Sequence, residues 1–378
     1  MKYLILGAGP AGRAAVEMLM ELDPGSDISI AFAEEMPYYR MYLPDYISGN
    51  MKYDRLKCKF PPASWKKKVS LFENHIAVRL DMSVREVLFE NGRTIGYDKL
   101  LMATGRCSDL SDLDIEPGVE FFLIDTLKNV LDISQKAVPL DKAVVLGAGL
   151  TGIQTAVSLA KAGLHVTLLE KEPLLLSMHL NGEQSDILAR VMDKSGIKTV
   201  RSFLCKKIGK GHVVSDDCSE IPFNELFITC GTSPSTGYTG KHDILPDTGI
   251  NPSRSFETNM KDIYAAGSII SACCSDEAAK QGSAAAAEMC GRQGEYRKDD
   301  IFVDLREFDL SFYGCFNPEE EHNQVVIRQK EEYKKLVMSD GKLSGFIYIG
   351  DSSKARLAFG MASERKQIGD AELRELLG

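Results

Sequence analysis

The chain has 378 residues, of which 44% are apolar and 26% charged, with 45 Lys and Arg against 54 Asp and Glu for a formal charge of −9. That length exceeds what one hydrophobic core usually organises, so two or three domains are expected. The acidic balance argues against a nucleic-acid partner, which calls for a basic face, and no apolar run approaches the roughly 20 residues of a membrane span. Nine cysteines without a secretory signal read as reduced thiols, and with the charge they fit a soluble cytoplasmic protein. Six histidines lie scattered, and neither Cys-x-x-Cys nor His-x-x-x-His occurs, so no metal site is expected.

The first predicted element is an apolar N-terminal run, too short for a signal peptide and read as a buried strand, which enters the glycine turn of YLILGAGPAG at 3–12. A helical stretch at 13–22 follows, then a second strand at 28–33 running into Glu34. The pattern then returns as AVVLGAGLTG at 143–152, a helical stretch at 153–162, and a strand at 165–169 running into Glu170. Gly-x-Gly-x-x-Gly between strand and helix, with an acid about 20 or more residues further on, is the dinucleotide-binding fingerprint.

Each letter has a physical reason. Gly7 and Gly147 permit the tight turn, Gly9 and Gly149 let a pyrophosphate approach the backbone, and Gly12 and Gly152 let helix and strand pack closely. The free amides that open each helix, those of Ala11 and Gly12 after Pro10 and those of Leu150-Thr151-Gly152, favour the diphosphate, while Glu34 and Glu170 accept hydrogen bonds from an adenosine ribose. One such turn often serves packing alone. Two copies with every flanking feature point to two dinucleotide sites.

Between the repeats lies the strand-turn YDKLLMATG at 97–105, echoed by FITCG at 227–231, and a third strand-turn, IYAAGS at 263–268, precedes an alanine-rich helical stretch at 277–290. In this order the motifs resemble the pyridine nucleotide-disulfide oxidoreductase superfamily over about the first 295 residues. The resemblance implies an α/β fold of two Rossmann-like, three-layer domains plus a small α+β C-terminal domain. It places the first part of an FAD domain at 1–110, an NAD(H) domain at 111–230, the second FAD part at 231–297 and the C-terminal domain at 298–378. It further implies that Gly7, Gly9, Pro10, Ala11, Gly12, Glu34, Ala103, Thr104, Gly105, Gly267 and Ser268 hold FAD. Gly147, Gly149, Leu150, Thr151, Gly152, Gln154, Glu170 and Gly231 would hold the nicotinamide cofactor. NADH is expected over NADPH, because Glu170 repels a 2′-phosphate and is followed by Lys171, Glu172 and Pro173 rather than an arginine.

Three departures bear on mechanism. Where disulfide reductases of the superfamily carry a redox cysteine, this chain has YYRMYLPDY at 38–46, which resembles the Tyr-x-Arg-x-x-Leu stretch of NADH:rubredoxin oxidoreductases and of the flavin portion of nitrite reductases. Arg40 and its neighbouring tyrosines are therefore expected to line the flavin; Trp65 fits the same subgroup and also reads as a packing residue. Ser268 replaces an aspartate that binds the ribityl chain, and Gln154 stands where glutamate is usual near the nicotinamide. Cys273 and Cys274, just before the 277–290 stretch, are candidate redox thiols, or else small buried loop residues.

From 298 onward strands are expected at 304–310 and 321–328, at YKKLVMSDG (333–341) and at LSGFIYIG (343–350), followed by a helix near 353–361. The resemblance gives this domain to homodimer formation or acceptor docking. The expected activity is hydride transfer from NADH to FAD, then electron transfer to a small redox protein such as rubredoxin or to a small-molecule acceptor. Two alternatives stand beside it: an NADH oxidase, peroxidase or CoA-disulfide reductase, and a nucleotide-binding regulatory or scaffold subunit.

Overall fold

The structure is a computed structural model that describes residues 1–49, 51–66, 68–136, 139–240, 244, 255–271, 274–294, 296, 302–305, 310–313, 324–328 and 332–377. It divides into two compact units, the first joining 1–39, 53–109 and 232–299, the second joining 40–52, 110–231 and 300–378.

The first unit is built on a parallel sheet in which β1 (Lys2–Leu6) lies between β2 (Asp27–Ala31) and β7 (Lys99–Met102), with β3 (Val69–Phe72) beside β2 and β18 (Ile263–Ala265) beside β7. Strand alternation divides its side chains between two cores. Tyr3 and Ile5 pack with residues of α1 (Pro10–Leu22) and α7 (Ser275–Met289). Leu4 and Leu6 pack with Leu80, Val87 and Phe89 of the antiparallel sheet β4 (Ala77–Asp81), β5 (Glu86–Phe89) and β6 (Thr94–Gly96). Helices, parallel sheet and antiparallel sheet thus form three layers. Trp65 belongs to the helix-side core, 1% exposed and edge-on to Phe60, as a packing residue would be. The short α3 (Tyr53–Leu56) and the paired strands β8 (Arg106–Ser108) and β17 (Thr232–Pro234) complete the unit.

The second unit repeats the plan. Its parallel sheet runs β12 (Lys198–Val200), β11 (His165–Leu169), β10 (Lys142–Leu146), β16 (Glu225–Ile228), β9 (Phe122–Leu123). Val144 and Leu146 pack with Ile208, Val213 and Phe223, which belong to or flank the antiparallel sheet of β13 (Cys205–Gly209), β14 (His212–Ser215) and β15 (Glu220–Pro222). The alternate residues Ala143 and Val145 turn to the opposite face, where α5 (Leu150–Lys161) packs on β10 and β11 and α6 (Gly182–Lys194) on β12. Two further helices, α2 (Leu43–Ile47) and α4 (Leu127–Lys136), contact each other, and α2 also contacts α5.

The same unit carries an antiparallel sheet in the order β19 (Phe302–Leu305), β20 (Leu310–Tyr313), β23 (Lys342–Ile349), β22 (Tyr333–Ser339), β21 (Gln324–Arg328). Of the segment 304–310, expected as one strand, residues 304–305 end β19 and Leu310 opens β20, which pair antiparallel, and 306–309 lie outside the described residues; of 321–328, residues 321–323 lie outside them too. The expected helix near 353–361 is α8 (Ala355–Ser363), and an unforeseen α9 (Asp370–Leu377) packs Leu376 into the same core. Buried Lys334 fixes this end of the chain, donating to Asp351 Oδ2 at 2.8 Å and to the Leu377 carbonyl at 3.3 Å. That bond and the Ser353 amide hold the Asp351 carboxyl down to about 2. Among the described residues no helix is long and apolar enough to cross a membrane.

Candidate dinucleotide sites

In the first unit β1 turns into α1 through Gly7, whose φ of +104° suits glycine, and a Cβ there would overlap the Ala103 carbonyl oxygen. A Cβ on Gly12 would overlap the Gly7 carbonyl oxygen, so this helix can sit so near its strand only without a side chain. Gly9 differs from both. It is the N-cap of α1 at φ −67°, a conformation any residue adopts, and nothing lies within 4 Å of where its Cβ would be. No side chain caps the helix, and Pro10 begins it, where a missing N–H costs nothing. The result is a helix N-terminus with an open approach, suited to a diphosphate.

The third strand-turn closes around this one. Gly267, at φ +82°, would place a Cβ 2.9 Å from the Ala11 Cβ, and its N–H donates to Gln281 Oε1 at 2.9 Å. Gln281 is itself buried, its Nε2 donating to Glu277 Oε1 at 3.2 Å, while the Tyr296 hydroxyl also donates to Glu277. Ser268 follows Gly267 in the same turn. Thr104 anchors the Ala103-Thr104-Gly105 turn by donating to the Ser235 carbonyl at 2.7 Å, and burial pushes up the Tyr238 phenol beside it. Gly282 on α7 is as constrained as the fingerprint glycines: a Cβ there would overlap the Ala11 carbonyl oxygen. Neither Gly282 nor Gln281 stood out in the sequence, where a Gln-Gly pair inside an alanine-rich helix carries no signal of its own.

In the second unit the turn is reproduced closely. Gly147 has φ +107° and Gly152 abuts the Gly147 carbonyl oxygen, while Gly149 caps α5 at φ −74° with open space around it and no side-chain cap. Leu150 and Thr151 open that helix, and Gln154 is half-buried one turn on. By contrast α6 carries a full capping box, in which Asn181 accepts from the Gln184 amide and the Gln184 side chain accepts from the Asn181 amide. The starts of α2, α7 and α8 also lack a side-chain cap; what α1 and α5 add is a glycine at the N-cap with open space where its Cβ would be. Cys230 stands directly against Gly147, 2.8 Å from where a Cβ would be, and Gly231 follows at φ +72°. Burial pushes the Cys230 thiol up and the nearby Cys205 thiol to about 11, so both are poor nucleophiles at neutral pH.

The two acids do not occupy equivalent places. Gly147 and Gly7 donate to the carbonyls of Leu169 and Ala31, the last residues of β11 and β2. Glu170 follows Leu169 directly, so its counterpart in the first unit is Phe32, and Glu34 lies two residues further on. The Glu170 carboxylate accepts from the amides of Ala148 (2.6 Å) and Glu172 (2.9 Å), whereas Glu34 accepts from the Tyr38 hydroxyl. Arg40 falls in the second unit, where its guanidinium donates to the Asp125 carbonyl. Cys274 is the half-buried N-cap residue of α7 without a side-chain cap bond, and Cys273 lies outside the described residues.

Known proteins share this architecture. The chain is 26% identical over 360 residues to the NADH-rubredoxin oxidoreductase of Clostridium acetobutylicum, covering 93% of the chain and 92% of that protein. It is 22% identical to the nitrite reductase [NAD(P)H] of Bacillus subtilis, of which it spans 48%. Among solved structures, the covalent putidaredoxin reductase-putidaredoxin complex matches with a TM-score of 0.81 at 17% identity, covering 100% of this chain and 98% of that one. The crystal structure of the Clostridium acetobutylicum NADH:rubredoxin oxidoreductase matches with a TM-score of 0.70 at 22% identity, covering 100% and 98%. The model of the pyridine nucleotide-disulphide oxidoreductase family matches residues 1–294, and with both glycine turns in place the chain belongs to that family.

Proposed function

We propose that this FAD-dependent oxidoreductase takes electrons from NADH and delivers them to a small redox protein, with FAD on the first unit and NADH on the glycine turn of the second. The observation that carries the reading is the pair of uncapped helix starts with open glycine approaches at Gly9 and Gly149. When bound, the nicotinamide supplies a hydride and the flavin converts it into transferable electrons. The chain's own residues bind and orient. The α1 and α5 amides hold the two diphosphates, Glu170 is fixed by two backbone amides to receive a ribose, and Gln281 holds the Gly267 turn against α1. Ser268 offers a hydroxyl on a shorter side chain, whose neutral hydrogen bond is weaker than that of the aspartate it replaces in the family.

NADH is preferred because a 2′-phosphate beside Glu170 and Glu172 meets two carboxylates. A redox-protein acceptor follows from the 38–46 segment, which has no cysteine with which to reduce a disulfide. It is also the acceptor type of the rubredoxin-reducing relative. In stopped-flow assays the NADH-reduced protein is expected to reoxidise much faster with a rubredoxin or a ferredoxin than with oxygen, peroxide or CoA disulfide. Faster reoxidation by one of the small molecules would overturn the acceptor assignment.

A further inference from the structure

The charges around Glu170 are not those its own loop suggests. The loop after Glu170 folds back on the glycine turn, with the Leu176 amide donating to the Ala148 carbonyl at 3.1 Å, and the Leu175 amide donating to Ser185 Oγ on α6 at 2.8 Å. On the other side the segment leaving β12 runs alongside: Glu170 donates to the Val200 carbonyl (2.9 Å), Ser202 to that of Glu172 (3.1 Å) and Phe203 to that of Glu170 (2.8 Å). Arg201 is therefore brought against the Glu170–Glu172 backbone. Its guanidinium does not stand loose there, because Nη1 donates to Asp186 Oδ1 at 2.7 Å, from the residue after Ser185.

We propose that Asp186 is a specificity-determining residue, which by holding Arg201 denies a guanidinium to the 2′-phosphate of NADPH. The inference rests on the NADH reading above. A guanidinium is the side chain best shaped to grip a phosphate, through paired N–H bonds, and an arginine within reach of the ribose is what NADPH recognition requires. Here an arginine lies beside the Glu170–Glu172 backbone, in the segment that leaves β12 rather than in the loop after β11, and it is already engaged. In the Glu170–Glu172 loop and the Arg201–Asp186 pair beside it, three carboxylates stand against two cations, Lys171 and Arg201. Neutralising Asp186 both releases the guanidinium and balances the charge, and the exposure of the pair leaves Arg201 room to turn.

Calorimetry on the flavin-loaded protein with adenosine 2′,5′-bisphosphate and 5′-AMP tests this without turnover. Asp186→Asn is expected to tighten the bisphosphate about tenfold while 5′-AMP changes by less than about twofold. Asp186→Glu, which keeps the ion pair, is expected to behave as wild type, and the Asp186→Asn, Arg201→Gln double variant to lose the gain. An unchanged ratio of the two affinities in Asp186→Asn, or a gain that persists in the double variant, overturns the proposal. Failure of the NADH reading shows separately, as a wild-type protein that already prefers the bisphosphate, whereas the shift between wild type and Asp186→Asn reads the Arg201 pairing.

Discussion

The Gly9→Ala protein is expected to fold with wild-type stability and to purify without flavin. Gly9 has a backbone conformation that alanine adopts, and no protein atom lies within 4 Å of the added methyl, so the folded chain loses nothing. The methyl occupies the space through which a diphosphate reaches the first amides of α1. Steric misfit of this kind costs about 1–3 kcal/mol, or roughly a 5- to 150-fold loss of FAD affinity. Melting curves of the flavin-free proteins compared with fluorescence titrations of FAD separate the two effects. Full flavin retention in Gly9→Ala would mean that the open space at the α1 N-terminus is not a diphosphate site.

Gly282→Ala is expected to do the opposite, destabilising the fold itself. Helix propensity alone favours alanine over glycine by about 1 kcal/mol. Here the methyl would overlap the Ala11 carbonyl, a backbone group in the first turn of α1 that cannot swing aside, so α7 must move away from α1. With that contact forced open, a net loss of about 2 kcal/mol and a Tm lower by roughly 4–8 °C are expected. Flavin release on mild heating should accompany the loss, since the same displacement loosens the Gly267 turn, which Gln281 of α7 holds. A Tm equal to or above wild type would show that the two helices do not meet through this glycine.

The fingerprints were legible in the sequence because their determinants are local. The spacing of Gly7, Gly9 and Gly12, and of Gly147, Gly149 and Gly152, sets each turn within a few residues, and the continuous apolar runs of β1 and β10 mark strands buried on both faces. What escaped depends on residues far apart in the chain. Arg201, with Asp186 bound to it, comes beside the Glu170–Glu172 backbone only because β12 returns beside β11, a pairing that a scan of the residues directly after Glu170 does not reach. Gly282 reads in isolation as a weak point in a helix, and only the approach of α1 shows why no side chain fits there. The two acids looked equivalent because each follows a strand, yet the register of β2 places Glu34 two residues beyond the position Glu170 occupies. In the C-terminal region, β19 and β20 were merged into one strand because Leu305, Phe308 and Leu310 read as one apolar pattern despite the adjacent Arg306 and Glu307, and α9 was missed because only Leu376 of that helix is buried.

Anaerobic addition of NADH to the FAD-loaded protein, followed through the flavin absorbance, tests the central claim most directly. Two dinucleotide sites serving a single electron path predict a single flavin per chain and its complete bleaching by a stoichiometric amount of NADH. A protein that takes up no flavin, or whose bound flavin stays oxidised in excess NADH, would contradict the account.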